Sequence, residues 1–118
     1  MNLLEIVVST TESGPVLKLS GESDLTTAVQ LRDALVTQIS GGAQHLTVDL
    51  ADLRFADSAS IRELLEAHKA LNDRGGTLEL VRPQHTVAKS LRLLGLDRMP
   101  TIRPSAGNEE TGQEPTAC

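Results

Sequence analysis

Aromatic side chains are nearly absent from this sequence. It contains no Trp, no Tyr and a single Phe, Phe55, in 118 residues. Its core must therefore be built from Leu, Val, Ile and Ala, and it has no aromatic platform on which bases, sugars or quaternary amines could stack. Cysteine is almost as scarce. Cys118 stands alone at the last position, which excludes an intramolecular disulfide and a thiolate zinc cluster and fits a reducing compartment. No run of five or more basic residues occurs, and the net charge is −5 from 16 acids and 11 bases. Three of the acids, Glu109, Glu110 and Glu114, lie beyond Arg103, leaving 13 acids and 11 bases in the body, a charge near −2. Such a balance disfavours general binding to nucleic acid or to an anionic membrane. No apolar stretch approaches the roughly 20 residues needed to span a bilayer. The first residues, Met1–Glu5, lack the basic segment and apolar run of a signal peptide, so a cytoplasmic chain is expected. With 39% hydrophobic and 23% charged residues, the composition is that of one globular domain.

The pattern along the chain gives an order of elements. Leu4–Ser9 is rich in β-branched residues, Glu12-Ser13-Gly14-Pro15 has turn chemistry, and Val16–Ser20 follows and stops at Gly21, which predicts a hairpin. The period then changes. Thr27-Ala28-Val29-Gln30 fits a capping box, and Ala28, Leu31, Leu35 and Ile39 recur at helical spacing up to Gly41-Gly42, predicting a helix over 27–40. Leu46–Leu50 alternates as a strand, with a loop from Ala51 to Asp57. A second helix carries Ile61, Leu64, Leu65, His68 and Leu71 on its apolar face and ends at Gly75-Gly76. Thr77–Val81 reads as a strand stopped by Pro83. A third helix over 85–94 has Val87, Leu91 and Leu94 on one face, with Gly95 placed for a left-handed cap and Leu96 to pack back on it. A short strand is possible near Thr101-Ile102. The order β-β-α-β-α-β-α predicts a single small α/β domain over 1–103, with a mostly parallel sheet and an antiparallel N-terminal hairpin. Residues 104–118 are expected to be a disordered acidic tail. No internal repeat is visible.

Signatures of catalysis are missing. His45, His68 and His85 lie on three separate elements, and His68 reads as a partly buried, hydrogen-bonded histidine rather than a ligand. No metal-ligand spacing, no nucleophile elbow and no phosphate-cradling glycine loop occurs, so no catalytic residue, cofactor or metal is expected. The diglycines need only supply positive φ at helix ends. One segment carries chemistry: Phe55-Ala56-Asp57-Ser58-Ala59-Ser60-Ile61, between the third strand and the second helix. Loops at the carboxyl ends of strands carry function in open α/β sheets, and a helix N-terminus tolerates a phosphate on a serine there. Such a phosphate would add about −1.5 to −2 charges beside Asp57 and repel an acidic or apolar partner surface. The competing reading is capping, by Asp57 or Ser58 as N-cap or by Ser60-Ile61-Arg62-Glu63 as a capping box.

Leu46–Ser58 resembles the central stretch of STAS domains, and more narrowly that of the anti-sigma factor antagonists of bacteria, in which a strand ending in Asp-Leu leads to Asp-Ser-[Ser/Thr/Ala]-Gly at a helix start. Gly21-Glu22-Ser23-Asp24, Arg74-Gly75-Gly76-Thr77-Leu78-Glu79-Leu80-Val81 and Leu91-Arg92-Leu93-Leu94-Gly95-Leu96-Asp97 match further motifs in the family's order, over about residues 3–103. The resemblance implies a non-enzymatic switch. An unphosphorylated antagonist binds an anti-sigma factor with a histidine-kinase-like serine kinase fold and frees a sigma factor; phosphorylation ends binding and a protein phosphatase restores it. By position the acceptor is Ser58, with Ser60 as fallback. The expected partner-binding residues are Asp24, Asp57, Ser58, Ala59, Ser60, Arg62, Glu63 and Glu66. Asp24 reads equally well as a turn or helix-entry residue; the charges of the second helix could form a solvated face, and the resemblance is what points to them as an interface. Ser60 and Arg62 stand where the family has glycines, adding bulk at the helix start; Arg62 either pairs a phosphate on Ser58 or excludes the usual kinase. The alternatives are a STAS adaptor subunit of a transport or signalling assembly without a phosphoswitch, and a small enzyme or nucleotide-binding protein. A monomer is expected when free, since no coiled-coil heptads occur.

Overall fold

The computed structural model describes residues 3–95 and the backbone of Ile102 and Arg103. Strands β1 (Glu5–Thr11) and β2 (Gly14–Ser23) form the hairpin. They are followed by α1 (Ala28–Ser40), β3 (His45–Ala56), α2 (Ser58–Asn72), β4 (Thr77–Val81), α3 (His85–Leu93) and β5 (Ile102–Arg103). The strands lie in one sheet in chain order, β1-β2-β3-β4-β5. β1 runs antiparallel to β2, and every later neighbour is parallel. This is the predicted α/β architecture, with the short fifth strand at the sheet's end.

Register explains where the core sits. Leu17 lies beside Val48, and Val48 beside Leu80, with Leu46 beside Leu78, so these side chains share one face of the sheet. Leu31 and Leu35 of α1, Ile61, Leu64 and Leu71 of α2, and Val87 and Leu91 of α3 complete one aliphatic cluster with them. Each crossover moves to the next strand in the same direction, and crossovers of one hand then put the helices on one side. The opposite face carries ion pairs instead: Lys18–Asp52 at 3.3 Å, His45–Glu79 at 3.4 Å, and Asp49–Arg82.

Several local expectations are corrected. β2 does not stop at Gly21 but runs through it to Ser23, with Gly21 at φ +93°, where a Cβ would meet the Leu3 carbonyl oxygen at 2.3 Å. β3 does not end at Leu50; it continues through the expected loop to Ala56. Between Lys18↔Asp49 and Ser20↔Asp52, and again between Gly21↔Leu53 and Glu22↔Phe55, β3 takes one residue more than β2. Bulges of this kind break the period of two, so Leu50, Leu53 and Ala56 are buried at intervals of three. Thr27 precedes α1 as expected, but no capping box forms. Its backbone is already helical (φ −101°, ψ −4°), its hydroxyl accepts the Asp24 N–H at 2.9 Å, and Gln30 Nε2 donates to the Leu4 carbonyl at 3.1 Å. His68 is half-buried, and its Nδ1 has no hydrogen-bond partner among the described residues. Three of its four neighbours at helical spacing on α2, Leu64, Leu65 and Leu71, offer no polar side chain, and the helix backbone is consumed by its own ladder. Gly95 has φ +82° and closes on Arg92 O at 3.0 Å, as predicted. Leu96, Asp97 and the tail lie outside the described residues.

Candidate functional site

The carboxyl ends of the adjacent parallel strands β2 and β3 bring two loops side by side: Asp24–Thr27 leading to α1, and Asp57 leading to α2. Ser23 joins them. Its carbonyl accepts the Asp57 N–H at 3.1 Å, and its hydroxyl lies 2.6 Å from that of Ser60. The Thr27 hydroxyl donates to Ser23 Oγ at 3.4 Å, so three buried hydroxyls, from β2, from the residue before α1 and from α2, form one cluster. Each satisfies another, which is what allows polar groups in an aliphatic core. The sequence marks Thr27 as a cap and Ser23 only as part of a motif, and neither reading pairs their hydroxyls, because such a cluster carries no signal until the fold assembles it.

Asp57 is the N-cap of α2. It is extended (φ −86°, ψ −178°), and its side chain accepts the Ser60 N–H at 3.0 Å. Of the capping arrangements open in the sequence, this one forms, and the Ser60–Glu63 box does not. Ser60 sits inside the helix and is 1% exposed, so its hydroxyl faces Ser23 rather than solvent. The bulk added at this family glycine position is directed inward. Ser58 is the first residue of α2 and is exposed; Ala59 beside it is half-buried.

On the neighbouring loop, Asp24 is exposed and built into a tight turn. Its Oδ1 accepts from the Thr26 hydroxyl at 2.6 Å, the Thr26 N–H at 3.0 Å and the Thr27 N–H at 3.2 Å. The Thr26 hydroxyl is the largest influence holding this carboxyl below the usual carboxylate range, so Asp24 is ionised at neutral pH. Arg62 and Glu66 are exposed and Glu63 half-exposed further along α2. They border a groove of about 620 Å³ between α1 and α2, floored by Leu35, Ile39 and Ala67. The structure thus gathers Asp24, Asp57 and Ser58 at one end of the sheet, extends that surface along α2 through the three charged residues, and turns Ser60 into the interior. Phe55, two residues before the cap, is 47% exposed.

The strand order never reverses among the described residues, so the crevice that receives nucleotides at a switch point of doubly wound sheets is not formed. Among the described residues no group of three or more His, Cys, Asp or Glu is placed to hold a metal. No helix among them is long and apolar enough to cross a membrane.

The chain with this hairpin-led, singly wound sheet belongs to the STAS domain family: residues 6–103 match the family described as Mlab, STAS domain. It is similar to proteins described as anti-sigma factor antagonists. It is 27% identical to the anti-sigma F factor antagonist of Paenibacillus polymyxa over 84% of this chain and 86% of that one. It is 30% identical to the anti-sigma factor antagonist SpoIIAA in its unphosphorylated form, with a TM-score of 0.70 over 93% of this chain and 91% of that one. It is 29% identical to the Bacillus cell fate determinant SpoIIAA in its phosphorylated form, with a TM-score of 0.66 over 93% and 95% of the two chains.

Proposed function

We propose that this protein is an anti-sigma factor antagonist that binds a serine-kinase anti-sigma factor when Ser58 is unmodified, thereby freeing a sigma factor, and that phosphorylation of Ser58 ends the binding. The observation that carries this reading is the contrast between the two candidate serines: the Ser58 hydroxyl is exposed at the start of α2, whereas Ser60 is buried against Ser23. That a similar protein is described in unphosphorylated and phosphorylated forms supports it further.

The mechanism follows from the surface around the serine. A partner that covers Ser58 meets Asp57 beside it, and Asp24 and the exposed Phe55 stand at the same end of the sheet. A phosphate added there brings about −1.5 to −2 charges into a region that already holds two carboxylates. Burying it against an apolar partner surface would cost its hydration without return. The helix itself accommodates the modification, because its first turn favours negative charge. A phosphatase resets the surface, and the cytoplasm is the compartment in which such a switch would act.

The test is an affinity pull-down with parent, Ser58→Ala and Ser58→Glu baits, followed by titration of the captured anti-sigma factor. Parent and Ser58→Ala should bind comparably and Ser58→Glu at least tenfold more weakly. Equal affinity for all three removes the switch. Incubation with that kinase and ATP should add one phosphate by intact mass to the parent and none to Ser58→Ala. Capture of a transporter ATPase subunit by all three baits alike would favour the adaptor role instead.

A further inference from the structure

Ser58 and Arg62 are four residues apart on α2, one helical turn, and both are exposed. Side chains at this spacing are neighbours on a helix surface, and an anion N-terminal to a cation is the favourable order. Arg62 has no ion pair among the described residues, whereas Arg54 at the same end of the sheet is joined to Glu22 at 3.8 Å. The acid one turn beyond Arg62, Glu66, is paired with Lys69 at 3.8 Å, and cation before acid is the weaker order at this spacing.

We propose that Arg62 is a built-in counter-ion for phosphate on Ser58, so that the modified side chain is held back along the surface of α2. This inference rests on the reading of Ser58 as the acceptor. A guanidinium can take two phosphate oxygens at once, which makes it a stronger and more directional partner than a point charge. The opposing groups are also at hand. Asp57 is the adjacent residue, Asp24 lies on the neighbouring loop, and Glu22 is offset by Arg54. These carboxylates raise the second pKa of a phosphate at position 58 above its ordinary value of about 6; Arg62 lowers it. With glycine at position 62 the carboxylates would act unopposed. The arginine therefore compensates charge on the phosphoserine that would otherwise face only carboxylates.

The experiment installs phosphoserine at position 58 during translation, through an expanded genetic code, in the parent, Arg62→Gln and Arg62→Lys. The phosphorus-31 chemical shift is then followed against pH. The parent phosphate should titrate about 0.2–0.5 pH unit below Arg62→Gln, with Arg62→Lys between them. The gap should shrink in high salt. Coincident titration of parent and Arg62→Gln within 0.1 unit overturns the pairing. No kinase takes part, so the two readings fail separately: an Arg62-dependent shift in a chain whose Ser58 no kinase modifies would uphold the pair and overturn the acceptor assignment.

Discussion

Phe55 is the chain's only aromatic side chain, and the fold leaves it 47% exposed beside the candidate site. A ring in that position contributes little to folding but offers a large rigid surface to a partner. Phe55→Ala should therefore leave the melting temperature within about 2 °C of the parent, in line with surface substitutions that change stability by less than about 0.5 kcal/mol. The same variant should weaken capture of the anti-sigma factor at least tenfold in a titration. A large loss of stability with unchanged affinity would assign the ring to the fold instead. Ser23 and Ser60 have the opposite character. Their hydroxyls are buried and mutual, and they fix the distance between the acidic turn and the capped helix. Truncating Ser23 strips the Ser60 hydroxyl of its partner, at a cost of about 1–3 kcal/mol, whereas truncating Ser60 leaves Ser23 its bond to Thr27; the pair governs how Asp24 and Ser58 are presented without touching a partner.

Among the elements, α2 does most to position the site, and its first turn depends on Asp57. Asp57→Ala should lower stability by about 1 kcal/mol, the usual cost of losing an N-cap, measured by denaturant unfolding. Asp57→Asn, which keeps the acceptor, should recover most of it. Recovery by Asn shows that the loss comes from the cap bond rather than from the charge; no loss in Asp57→Ala would mean the helix start is held by Ser23 alone. The helices are legible in the sequence because their apolar period is regular: Ala28, Leu31 and Leu35, then Ile61, Leu64 and Leu71, then Val87 and Leu91 are buried as the spacing predicts, whereas Leu94, expected on the same face, lies past the end of α3 and is exposed. The end of β3 is not legible, because two bulges replace alternation by a three-residue interval that resembles a loop. The capping chemistry at α1 departs from the sequence pattern because of contacts made elsewhere in the fold. Thr27 and Gln30 have the right spacing, but both side chains are drawn to partners outside the helix. Ser58 and Asp57 were visible as a motif, while the inward turn of Ser60 depends on a contact 37 residues away in sequence.

At the scale of the molecule, the question is where the cooperative unit ends. The sheet closes with β5 at Ile102–Arg103, paired to Leu80 and Val81 of β4, and the match to the STAS family stops at residue 103. Beyond it the sequence holds Pro, Ser, Gly, Glu, Thr and Gln with no recurring apolar position. We therefore expect a chain ended after Arg103 to unfold at the same denaturant midpoint and with the same slope as the full chain. The slope is the sharper measure, because it scales with the surface exposed on unfolding and would fall if residues 104–118 packed on the body. A chain ended after Gly95 should behave differently. It removes β5, leaves β4 as a sheet edge and uncovers the backbone of Leu80 and Val81, so both midpoint and slope should drop. If the longer truncation lost nothing, the fifth strand would lie outside the unit that folds together, and the stable STAS body would comprise the hairpin, β3, β4 and the three helices alone.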